Sequence, residues 1–152
     1  MKLESLNGAS VELAIAGYEF AASRRSRDRW DDNWLTVSGR VIDGDTRWCF
    51  REPCLTTSEA RDLATWLRKA ATSTTAGLPR LEFIEPNVGL RLERRTPEQF
   101  SLIFRFSHES LPYDAVGEML GDVYEVSLHV TRTALIAAAD QWKREVAAFP
   151  ER

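Results

Sequence analysis

Phe100, Leu102, Phe104 and Phe106 stand at every second position of one stretch. Side chains of an extended strand alternate between faces, so this spacing gathers all four on one side of a sheet, whereas a helix would scatter them around its axis. Ile103, on the other face, predicts a central strand covered partly on both sides. The period returns twice. Tyr124, Val126, Leu128 and Val130 repeat it, and Leu35, Val37 and Val41 alternate with Thr36, Ser38 and Arg40. Asp43-Gly44-Asp45 then supplies a turn, and Trp48 and Phe50 share a face beyond it, so Trp34 to Arg51 reads as a hairpin. Val11–Ile15, Leu81–Ile84 and Val88–Glu93 are shorter strand candidates.

Two segments carry the helical period instead. Thr56-Thr57-Ser58-Glu59 is a capping box, in which the threonine hydroxyl accepts from the amide three residues on and the glutamate reaches back. Leu63, Trp66, Leu67 and Ala70 follow at i, i+3, i+4 and i+7, and the helix must stop before the Ser, Thr, Gly and Pro of residues 72–79. A second stripe, Leu135, Ala138, Ala139, Trp142, Val146 and Phe149, predicts a helix from about Arg132 to Phe149. Three strands, a helix, about four strands and a helix make an α+β fold: a single domain over residues 1–152, with a core of about 11–149. Its mainly antiparallel sheet of about six to seven strands packs with two amphipathic helices. At 152 residues, 43% of them hydrophobic, the chain can build a core without a metal or disulfide staple.

Charge narrows the partners. Twenty bases against 23 acids leave −3, and the bases are interleaved with acids, so no cationic stripe awaits a phosphate backbone. Nucleic acid is not an expected partner. No apolar run is long enough to cross a bilayer as a helix, and the first residues lack the apolar core of a signal peptide, so the expected location is the cytoplasm with no membrane partner. The lopsided stretch is Ser107 to Thr131, where Glu109, Asp114, Glu118, Asp122 and Glu125 stand without any Lys or Arg, a local charge of −5. Its plain reading is a solvated loop; its sharper reading is an acidic docking face for a basic protein. Residues 21–32, with Arg24, Arg25, Arg27 and Arg29 beside Asp28, Asp31 and Asp32, read as a mobile loop. Trp30 within it is a candidate exposed anchor, while Trp48, Trp66 and Trp142 match apolar stripes and belong to the core.

Catalytic patterns are missing. The eight glycines are scattered singly, and no Gly-x-Ser-x-Gly elbow occurs. Ser107 and His108 are neighbours in an extended segment, so their side chains point to opposite faces and form no dyad. Glu82 with Glu85, or Asp31 with Asp32, are adjacent acids, but acid and base roles need environments that push their pKa values apart. Cys49 and Cys54 cannot fill a four-ligand zinc site, and their spacing is not that of a redox pair, so both are expected to be reduced, buried and small. No metal or cofactor is expected.

Six short segments carry a family likeness: Gly17-Tyr18-Glu19-Phe20, Asp32-Asn33-Trp34-Leu35, Arg51-Glu52-Pro53-Cys54-Leu55-Thr56, Phe83-Ile84-Glu85-Pro86-Asn87, Phe106-Ser107-His108-Glu109 and Phe149-Pro150-Glu151-Arg152. Together they resemble the WapI-like immunity proteins, from about Val11 to Arg152. The resemblance implies a small, non-enzymatic bacterial protein that neutralises the C-terminal domain of a wall-associated polymorphic toxin, in the best-known case a domain that cleaves transfer RNA. The Arg-rich insert Ser23 to Arg29 departs from that pattern, so the resemblance assigns it no role. A nuclease grips RNA in a cationic cleft, and clustered carboxylates can fill it. The expected partner-binding residues are therefore Glu109, Asp114, Glu118 and Asp122, with Trp30, Asp31 and Asp32. Charge reversal at the first four is expected to slow toxin association and leave the fold intact. Two rival readings remain: a small-ligand or enzymatic domain with a pocket between sheet and helices, favoured by a cavity gathering His108, Glu85 or Glu109 with a Trp face, and a structural adaptor with no single cognate toxin.

Overall fold

The computed structural model describes residues 1–21, 31–72, 80–94, 96 and 98–152. Its elements run in the order β1 (Lys2–Glu4), β2 (Ser10–Tyr18), β3 (Trp34–Asp43), β4 (Thr46–Thr56), α1 (Thr57–Thr72), β5 (Val88–Arg94), β6 (Gln99–Ser107), β7 (Val123–Thr131) and α2 (Arg132–Val146). The expected α+β architecture is what forms, with strands paired antiparallel throughout and divided into two sheets, β1-β2-β3-β4 and β5-β6-β7. Four strands rather than three precede α1, and three rather than about four follow it. The added strand is β1, too short to show a period. The missing one is Leu81–Ile84, which keeps a single bridge, Leu81 to Leu90.

The strongest alternation lies where it was expected, at the centre of its sheet. Phe100, Leu102, Phe104 and Phe106 are buried, and Ile103 is buried on the opposite face. The hairpin from Trp34 turns at Gly44, whose φ of +58° suits a glycine, and pairs Asp43 with Thr46. The two sheets meet through aromatic rings: Trp48 lies edge-on to Phe106 and Tyr124, with centroids 5.4 and 5.1 Å away, and Phe50 lies 5.8 Å from Phe106. Phe50 also lies over its cross-strand partner Gly39, where a Cβ would stand 2.0 Å from the ring. Only glycine fits there.

The predicted box starts α1: the Thr56 amide donates to Glu59 Oε2 at 2.8 Å and the Glu59 amide to Thr56 Oγ1 at 3.3 Å. Thr131 caps α2 by accepting from the Ala134 amide, and α2 ends at Val146, with Phe149 packed past its end against Tyr18. The helices pack on each other, and Trp142, fully buried in α2, donates Nε1–H to the Ala60 carbonyl of α1 at 2.8 Å. Buried side chains from both sheets and both helices form one cluster. Trp66 and Trp142 lie in it and Trp48 packs against it, as expected.

The cysteines split. Both are free, but only Cys54 is buried and Cys49 is exposed, because Cys49 falls on the outward face of β4 opposite Arg40.

Candidate functional site

At one end of the four-stranded sheet the ladder is broken twice. β2 carries an extra residue between Ile15 and Gly17, and β4 carries one between Pro53 and Leu55. Bulges turn the following side chains away from the regular pleat and often stand beside binding sites. Pro53, which has no amide to donate, is tolerated because β4 is an edge strand. The displaced ends bring Glu19, Trp34 and Glu52 to a common concavity of about 490 Å³.

Two further segments complete it. Ile84 donates its amide to Glu59 Oε1 at 2.7 Å, so the same glutamate that caps α1 also holds the stretch bearing Glu85. Ser107 Oγ donates to the Pro86 carbonyl, Ser110 Oγ donates to the Asn87 carbonyl, and the Ser107 amide donates to Asn87 O at 3.0 Å. His108 has a φ of +55°, a left-handed conformation that ends β6 and opens a 3-10 turn at 108–110. That turn points Glu109 back at Asn87, whose side-chain amide donates to Glu109 Oε2 at 3.0 Å.

The concavity is therefore walled by Glu19, Asp31, Glu52, Glu85 and Glu109, with Phe20 and Trp34 as its aromatic surface. No basic side chain lines it among the described residues. Two of its carboxyls leave their ordinary range, in opposite directions. Burial raises the carboxyl of Glu19 above its ordinary range, with Asp31 and Glu85 adding repulsion. Beneath it, burial pushes the Cys54 thiol up to about 12, and the field of Glu52, Glu59 and Glu85 adds to the shift. Glu109 is pulled the other way, by its own backbone amide and then by Asn87. Five carboxylates around two aromatic faces suit a guanidinium or ammonium group, which gains ion pairs and a ring face at once.

The anticipated partner-binding residues thus separate. Glu109 and Asp31 enter the concavity. Asp32 is buried in the turn Asp31–Asn33. Trp30 and the Arg-rich segment 23–29 lie outside the described residues. Asp114 is an internal brace: its Oδ1 accepts the amides of Val116 and Glu118, both at 2.9 Å, and those bonds lower its pKa. Glu118 and Asp122 are exposed and have no ion-pair partner among the described residues. Because Glu109 and Asp114 hold backbone and side-chain amides, charge reversal at all four acids would disturb the loop itself.

Glu19 and Glu52 escaped residue-by-residue reading, although both sit inside the segments that carried the family likeness. Five of those six segments meet at this concavity, contributing Glu19 and Phe20, Trp34, Glu52 and Pro53, Glu85 and Asn87, and Glu109. A Ser–His contact also went unseen: Ser101 Oγ lies 3.0 Å from His129 Nδ1 across β6 and β7. Ser101 is only 1% exposed, so the pair is a cross-strand polar contact with no room for a substrate at the hydroxyl. Among the described residues no group of three or more His, Cys, Asp or Glu side chains is arranged to hold a metal ion.

A family model for the Immunity protein WapI-like family matches residues 2–150. No curated protein and no solved structure gives a match.

Proposed function

The chain belongs to the WapI-like immunity protein family, and from that premise we propose that it neutralises its cognate polymorphic toxin by seating a basic side chain of the toxin in the concavity of Glu19, Glu52, Glu85 and Glu109. The toxin is of the nuclease type, whose cationic cleft is built to hold nucleic acid and so accepts a carboxylate-lined partner. Inhibition is by occupancy, without turnover, and takes place in the cytoplasm. The observation that carries the reading is the convergence of five carboxylates with no described base among them, four of which, Glu19, Glu52, Glu85 and Glu109, stand on the segments that mark the family. An uncompensated acidic hollow is costly to the free protein, and a cation from a partner relieves that cost.

The test is coexpression with the cognate toxin domain. We predict that the wild-type protein rescues growth and that Glu52→Lys with Glu85→Lys abolishes rescue, while circular dichroism shows the fold retained. Full rescue by the double variant would remove the concavity from the interface.

One observation favours a second reading. The hollow does gather Glu85 and Glu109 with a Trp face, here Trp34 and without His108, which is the arrangement expected of a small-ligand site. A cationic metabolite would satisfy the same chemistry. Calorimetric titration with free arginine and with polyamines separates the two, since a side chain presented by a protein binds far more tightly than the free amino acid.

A further inference from the structure

Eight large hydrophobic residues are exposed among the described residues; four of them, Tyr113, Val116, Met119 and Leu120, lie in the one loop between Glu109 and β7, and a fifth, Val123, opens that strand. Val116, at 82% exposure, is the most exposed residue of this group. A solvated loop has no use for such residues; exposed apolar groups collected in one place mark an interaction surface. The loop is also internally built. Tyr113 and Met119 form an antiparallel bridge, the Leu120 amide donates to Pro112 O at 2.9 Å, and the Asp114 amide donates to Glu118 O at 2.8 Å. Asp114 Oδ1 closes the tip by accepting two further amides, and Gly117 and Gly121 take the positive φ values, +87° and +79°, that the turns demand. At its start the loop is fixed to the sheet, where Trp48 Nε1–H donates to the Ser110 carbonyl at 2.9 Å.

We propose that this loop is a preorganised apolar anchor for the toxin domain, with Val116 and Met119 entering an apolar pocket on a cationic surface. The inference rests on the immunity reading and adds to it a division of labour. Glu118 and Asp122, exposed beside the apolar groups, match a basic rim and accelerate encounter, whereas burial of Val116 and Met119 sets how long the complex lasts. Asp114 is a positioning residue: it touches no partner and keeps the loop in its binding shape, so little order has to be created on association.

The experiment uses the whole protein and its catalytically inactivated cognate toxin domain, with association and dissociation followed separately at two salt concentrations. Val116→Ser with Met119→Ser is expected to raise koff tenfold or more and leave kon within about twofold. Glu118→Lys with Asp122→Lys is expected to lower kon, most strongly at low salt, with koff little changed. Asp114→Ala should weaken binding and Asp114→Asn, which keeps the accepting oxygen, should restore it. A wild type that binds with koff indifferent to the serine substitutions overturns this inference alone. So does sedimentation showing a dimer without toxin that the same substitutions dissolve, since the loop would then face a second copy. A wild type that neither binds nor protects overturns the immunity reading as well.

Discussion

Glu19 and Glu109 line one hollow and respond to it in opposite directions. The carboxyl of Glu109 is lowered by donors built into the fold, so its contribution to stability is present above its ordinary titration range and is lost as pH falls through its folded value. Glu19 is raised above 4.5 by burial and by Asp31 and Glu85, so the folded state holds its proton longer than the unfolded chain does. Stability must then fall as pH rises from about 4.5 through the folded value. Glu19→Gln removes that liability. We predict a slightly higher Tm for this variant at pH 7, a difference that vanishes below pH 4, and a weaker grip on the toxin in the same preparation. The stability gain should be small because Glu19 is desolvated only in part: its side chain remains exposed and solvent screens it. A variant with the wild-type Tm at pH 7 as well as at pH 4 would show that the Glu19 carboxylate carries no such penalty in the fold.

Glu59 works one level up, where a helix start and a loop share a side chain. Its Oε2 accepts from the Thr56 amide and hydroxyl, at 2.8 and 2.9 Å, while Oε1 accepts from Ile84. The first half of that arrangement was legible, because the four-residue Thr56 to Glu59 spacing is a local signal; the second was not, because Ile84 is 25 residues away. The same limit explains the other differences. Alternation marks each long strand but carries no record of its neighbours, so the split into two sheets could not be read. Leu81–Ile84 has strand-like residues yet pairs only through the single Leu81–Leu90 bridge, and its Ile84 end is held by the Glu59 side chain rather than a ladder. The acids of the hollow arrive from five separate segments, and the family likeness linked four of them, leaving out Asp31. We predict that Glu59→Ala costs about 1–2 kcal/mol through the lost cap and hydrogen bonds. It should also weaken toxin binding, because Glu85 loses its support. Glu59→Gln, which keeps acceptor oxygen but only one of them, should fall between. Equal binding by all three proteins would mean that the Glu85 segment is positioned without Glu59.

Across the whole molecule, the hollow and the loop are both carried by one apolar cluster that draws on both sheets and both helices. Trp142 shows how tightly the layers are joined: it is fully buried, and its indole N–H satisfies the Ala60 carbonyl on the other helix. Truncation removes a large volume from a packed interior and takes the indole donor away from that carbonyl. We predict that Trp142→Ala costs about 3–5 kcal/mol. Because the cluster spans every layer, the loss should not be confined to the helices. Helical circular dichroism and the near-ultraviolet signal of the Trp48–Phe106–Tyr124 contact should move to the same lower midpoint in urea. Two separated midpoints would show that the sheets melt independently of the helical pair. The bulged strand ends and the Ser110 anchor of the loop would then belong to units of different stability, and a toxin holding both would have to bind them as a coupled pair.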